Sequence, residues 1–114
     1  TIVLAHPGCG IRQLDLGWNR IRGESCGKAL QKALEANDTL AELNLSWNGL
    51  AEASAFLGLA LETNTGLRTL HLSHNRIGGR AACALADGMR WNEHLRALHI
   101  EHNPIGELGG RAIM

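Results

Sequence analysis

One nine-residue phrase constrains this chain more than any other feature, because it is written four times. Leu40-Ala41-Glu42-Leu43-Asn44-Leu45-Ser46-Trp47-Asn48 has the form L-x-x-L-x-L-x-x-N. The same form starts at Ile11 (IRQLDLGWN), Leu67 (LRTLHLSHN) and Leu95 (LRALHIEHN), so the steps are 29, 27 and 28 residues. Self-similarity at a fixed period of roughly 20–50 residues implies a solenoid, in which each unit buries its apolar side against its neighbours.

Within a unit the pattern changes half-way. Leu43 and Leu45 alternate with Glu42, Asn44 and Ser46, a period of two that predicts a short strand with its leucines on one face. Leu40 precedes the strand and is expected in the same core. Asn48 falls where the chain must turn, and its amide can both donate and accept. With Asn19, Asn75 and Asn103 in register, the expectation is a ladder of asparagines bonding the loops of adjacent units. In the second half, Leu30 and Leu34, Leu57 and Leu61, and Leu85 and Met89 are each four apart, which predicts helices. Small residues surround them (Ala29, Ala33, Ala36; Ala53, Ala55, Ala60; Ala81, Ala82, Ala84, Ala86) and are expected to let each helix lie close to the sheet. Asn37, Asn64 and Asn92 recur after these pairs and are read as left-handed caps closing each helix.

The expected organisation is full units at 11–39, 40–66 and 67–94 and a partial unit at 95–114. Residues 1–10 are read as the end of a preceding unit; with no basic leader and too short an apolar run, they do not read as a signal peptide. Neither end shows a polar capping unit, so the chain is expected to belong to a longer array. The second unit is two residues shorter than the first between Asn48 and Leu57, which predicts an irregular start to its helix.

The motif resembles the ribonuclease-inhibitor-like leucine-rich repeats. The stretches that carry the likeness are LDLGWNRI, LNLSWNGL, LHLSHNRI and LHIEHNPI, with KALQKALEAND and CALADGMRWNE in the helices. They cover residues 11–114. The S-W-N and H-N-P-I-G variants look most like small ciliary and testis-type members. The resemblance implies an α/β solenoid, a right-handed β-α superhelix curved into an arc with parallel strands inside and helices outside. It implies no particular partner.

Composition sets the functional bounds. Eleven basic and eleven acidic residues among 114 leave no net charge, which argues against wholesale attraction to nucleic acid or an anionic membrane. No apolar run approaches the ~18 residues of a transmembrane helix. Cys9, Cys26 and Cys83 form no C-x-x-C pair and are read as free thiols in a reducing, cytoplasmic setting, with the cilium or cytoskeleton as the variant implied by the resemblance. There is no nucleophile elbow, no glycine-rich phosphate loop after a strand and no Cys-His pair at a recognisable spacing, so no enzymatic activity and no cofactor are expected.

Stacked units bring equivalent positions about 5 Å apart. The residue between the strand leucines reads Asp15, Asn44, His71, His99; two further on it reads Gly17, Ser46, Ser73, Glu101. The position before the ladder asparagine reads Trp18, Trp47, His74, His102, and the one before the strand reads Arg12, Ala41, Arg68, Arg96. This concave face, with Asp15, Trp18, Asn44, Trp47, His71, His74, His99, Glu101 and His102, is the expected surface for a protein partner. Trp18 and Trp47 are read either as a contact patch or as a cover for the asparagine ladder; Trp91 is read as local packing. The histidines with Glu101 raise two alternatives, a metal site and a pH-responsive patch. The metal reading is set aside because no supporting acid is evident and histidine pairs on strands rarely close a tetrahedral site. Glu42, Asp15 and Glu101 fall in separate units, which argues against catalysis. A further alternative is a structural subunit that docks by its helices or ends into a large assembly.

Overall fold

A computed structural model describes residues 11–106. The preceding-unit end expected at 1–10, with Cys9, and the last residues of the partial unit, 107–114, lie outside the described residues. Four strands form one parallel sheet in the order β1 (Gln13–Asp15), β2 (Glu42–Asn44), β3 (Thr69–His71) and β4 (Ala97–His99). The register is the one set by the repeat: Leu14, Leu43, Leu70 and Leu98 are paired in line, and so are Asp15, Asn44, His71 and His99. Between the strands run α1 (Glu24–Ala36), α2 (Ser54–Leu61) and α3 (Gly79–Arg90).

The alternation sends the strand leucines inward. Leu40, Leu43, Leu45, Leu67, Leu70 and Leu72 have no solvent exposure, and they meet Leu30, Leu34, Leu57, Leu61 and Leu85 from the helices in one continuous core. Removing each such side chain from water contributes roughly 1.5–3 kcal/mol. Leu14, Leu98 and Ile100, in the outer units, are only half-buried against that core.

The shortened second unit starts its helix through a 3-10 turn, Ala51–Ala53, with Ala51 in the left-handed region at φ 48°. Its α-helix has 8 residues, against 13 in α1 and 12 in α3. The Ser54 hydroxyl donates to the Ala51 carbonyl at 2.7 Å and stabilises the irregular start.

Two expectations need correction. Asn37 closes α1 with φ −114° and ψ 127°, an extended conformation, and neither Asn64 nor Asn92 is left-handed. These residues build a second ladder instead. The Asn64 Oδ1 accepts from the Gly66 and Leu67 amides, while its Nδ2 donates to the Leu34 and Asn37 carbonyls of the previous unit. Asn92 repeats this one unit on, donating to Leu61 and Asn64. A buried amide here satisfies carbonyls left over at the end of the neighbouring helix, which a left-handed cap would not reach. Glycines bring the helices themselves close together. A methyl group on Gly58 would overlap the Ala84 carbonyl, and one on Gly88 would overlap the Gly58 carbonyl. The second correction concerns Trp91, which is 70% exposed and is not a packed residue.

A column of stacked rings on the strand side

The ladder of Asn19, Asn48, Asn75 and Asn103 fixes the turns that follow the strands. Asn48 Oδ1 accepts from the Asn19 and Ile21 amides at 2.8 and 2.9 Å, and its Nδ2 donates to the Leu16 and Leu45 carbonyls. Asn75 and Asn103 repeat the pattern on the next units. The chain is therefore gripped immediately after the residue preceding each asparagine.

That preceding residue is left-handed in every unit: Trp18 at φ 64°, Trp47 at 64°, His74 at 57° and His102 at 60°. An L side chain there costs on the order of 1–2 kcal/mol. The conformation is held by the ladder and by main-chain bonds between units, from the Trp18, Trp47 and His74 amides to the Ser46, Ser73 and Glu101 carbonyls. Identical backbones repeated at the strand spacing of about 4.8 Å bring flat side chains into face-to-face contact. The result is a continuous stack of four rings: Trp18 on Trp47 at 4.3 Å between centroids, Trp47 on His74 at 3.7 Å, and His74 on His102 at 4.3 Å, with planes within 13°. Trp18 is 70% and Trp47 43% exposed, so the column is open to solvent along its length. These rings stand on the turns beyond the strands, not on the strands themselves.

The strand column is organised differently. Asp15 and Asn44 each accept from the amide two residues on, Gly17 and Ser46, at 2.9 Å, and so brace the ring-bearing turns. His71 and His99 stack at 4.6 Å. The expectation that no acid supports the histidines is overturned. Glu42 Oε2 lies 2.9 Å from His71 Nε2, and Glu101 Oε1 lies 3.5 Å from His99 Nδ1. Glu42 precedes Leu43 on β2 and shares the face of Asn44, so a further column, Gln13, Glu42, Thr69, Ala97, lines the strand side. The Ser73 hydroxyl donates to Glu101 Oε2 at 2.6 Å and, as the largest influence, holds that carboxyl below the usual range; its own backbone amide and His99 add to this, against the opposing effect of withdrawal from water. His74 also titrates below its ordinary value, first because it is withdrawn from water and next because of the charge on His102, while Glu101 pulls the other way.

Arg68 folds back to donate to the Thr65 and Gly66 carbonyls at 2.9 Å. Arg22 and Arg76 instead flank the ring column, lining with Trp47, Gly49, His74 and His102 a shallow groove of about 360 Å³. The signal for Arg76 was its place directly after Asn75, where the same left-handed turn continues at φ 58°. Among the described residues no three His, Cys, Asp or Glu side chains are placed to hold a metal ion. In a parallel stack each imidazole keeps its nitrogens in its own plane, and they do not converge on a point between rings. Cys26 and Cys83 are free and half-buried.

A parallel sheet built from units of about 28 residues, each closed by two asparagine ladders and backed by a helix, defines an α/β leucine-rich repeat solenoid. The chain belongs to the leucine-rich repeat family: the family model "Leucine Rich repeat" matches residues 36–52, 63–86 and 92–114. Among solved structures it is similar to the tropomodulin C-terminal domain of Caenorhabditis elegans, with a TM-score of 0.80 over 96% of this chain and 13% identity. The chain spans 66% of the length of that structure, and at this identity the likeness shows the fold alone. No curated protein matches the sequence. Domains of this family generally mediate protein–protein interaction.

Proposed function

We propose that the chain is a non-enzymatic recognition module that binds a protein partner across the ring column and the adjoining strand face. The observation that carries this reading is the open, four-membered stack from Trp18 to His102. Aromatic side chains dominate binding hot spots, and here they are fixed before a partner arrives. Each ring is held by a gripped turn and by its neighbours, so little side-chain freedom remains to be lost on association. A cover for the asparagine ladder would need no left-handed strain and no 70% exposed indole. Two free thiols suit a reducing, cytoplasmic compartment.

The helix side offers a second reading, favoured by the exposure of Leu59 (48%) and Trp91 (70%). Quantitative affinity capture separates the two. The native chain, a Trp18→Ala/Trp47→Ala/His74→Ala variant and a Leu59→Ala/Trp91→Ala variant serve as baits in cells expressing the chain. The proposal expects a partner retained by the native and helix-side baits and lost from the ring variant. Retention by the ring variant with loss from the helix-side variant overturns it.

A further inference from the structure

We infer that the groove beside the ring column seats an acidic segment of the partner, its anionic oxygens between Arg22 and Arg76 and one apolar side chain in the adjoining notch against Phe56. This rests on the ring face being the recognition surface, and it specifies the chemistry of what is recognised.

Charge carries the inference. The chain as a whole is neutral, yet the groove is lined by two arginines and two histidines with no acid among its described lining residues. The acids of the strand side among the described residues are engaged: Asp15 accepts from the Gly17 amide, Glu42 faces His71, and Glu101 faces Ser73 and His99. Among the described residues, neither Arg22 nor Arg76 takes part in an ion pair. Their guanidinium groups therefore present unused donors in the fork geometry that suits carboxylate and phosphate oxygens. An oxyanion segment lying along the stack would be matched by both.

The shortened second unit supplies the anchor. Where its helix starts late, a notch of about 580 Å³ opens, floored by Leu50, Ala53 and Phe56, and it shares Arg22 and Gly49 with the basic groove. Glu24 and Glu52 stand at its rim. Glu24 pairs with Lys28, but Glu52 has no such partner among the described residues. A negative rim beside an apolar floor repels further acids and accepts an uncharged side chain, so the segment is oriented with its acids over the rings and its apolar residue over Phe56. Exposed ion pairs are each weak, and the rings and the notch must supply the remaining affinity.

The test is a displayed library of random dodecapeptides selected on the native chain, followed by anisotropy titration of the selected peptides. The inference expects a consensus with at least two acidic residues and one large apolar residue. Binding should fall about tenfold in Arg22→Gln/Arg76→Gln and be largely kept in Arg22→Lys/Arg76→Lys, with thermal melts showing all variants folded. Phosphoserine replacements at the acidic positions distinguish the two sources of oxyanion: tighter binding assigns the groove to phosphorylated segments, weaker binding to carboxylates. Selected peptides that lack acids but are lost on Trp47→Ala overturn this inference and leave the recognition surface standing. Peptides unaffected by either set of substitutions, or no selection at all, overturn both.

Discussion

The indole of Trp47 lies flat on the imidazole of His74, with centroids 3.7 Å apart and planes 9° from parallel. The two residues are 27 positions apart in sequence and meet because each precedes a ladder asparagine in the same left-handed turn. Three structural levels converge in this contact. The leucine register sets the unit spacing, the asparagine ladder holds the turn, and the turn aims the ring.

Protonating His74 should loosen this stack. Its ionisation is depressed from the ordinary 6.5, so the unfolded chain takes up a proton at a higher pH than the folded one. The associated stability is full above about pH 6.5 and is lost as pH falls through the folded-state value. The Trp47 face attracts a cation, which opposes this, but withdrawal from water and the His102 charge act together and dominate. Proton NMR titration of the histidines should show His74 titrating below 6.5 and melting temperature declining from pH 6.5 downward. A His74 titration above 6.5 would reverse the assignment.

Glu101 provides a second, lower window. Its carboxyl is held below 4.5, chiefly by Ser73, so its contribution is present above 4.5 and is lost as pH falls through the folded-state value. Ser73→Ala should move the Glu101 titration upward, as followed by carbon-detected NMR of the carboxylates.

Gly88→Ala should destabilise the chain by roughly 1–3 kcal/mol, because the new methyl overlaps the Gly58 carbonyl where α2 and α3 touch. The sign is informative. In an open helical position the same substitution stabilises by about 1 kcal/mol. Urea unfolding decides between them.

Asn64→Gly should cost on the order of 3 kcal/mol. The substitution removes an amide that satisfies the Leu34 and Asn37 carbonyls and the Gly66 and Leu67 amides, leaving buried groups without partners. A helix closed by a left-handed cap would accept glycine at no cost, so a neutral result in denaturant titration would remove the second ladder.

Leu72→Ala, at a position with no exposure, should cost about 2–5 kcal/mol. The loss should spread to adjacent units, since each unit is buried only by its neighbours. Hydrogen exchange should therefore show faster exchange in β2 and β4 as well as β3; confinement to β3 would argue against such coupling.

The sheet and its inward leucines were legible because period two and period 28 are both explicit in the residues. The alignment of Trp18, Trp47, His74 and His102 is legible as one repeat position, but tryptophan and histidine look unlike each other in a sequence and do not announce a common stack. Only the shared left-handed turn shows that they form one stack. Glu42 shares the strand face with Asn44, but His71 is in register with Asn44, so the Glu42–His71 contact is a diagonal one that aligning equivalent positions does not show. Where α2 and α3 touch, Gly58 lies against the Ala84 backbone and Gly88 against that of Gly58, and sequence periodicity does not register a backbone-to-backbone approach. Asn37, Asn64 and Asn92 were visible as a recurrence. That they bond the previous unit depends on where its helix ends, which no single repeat contains.

The most direct test of recognition through the ring column is site-specific photocrosslinking in the full chain. Benzoylphenylalanine is placed at Trp18 in one protein and at Trp91, on the helix side, in another, and each is irradiated in cells that express the chain. A recognition surface on the ring column predicts a discrete protein adduct from position 18 and none of the same mass increment from position 91. An adduct from position 91 with none from position 18 would place recognition on the helices and contradict it.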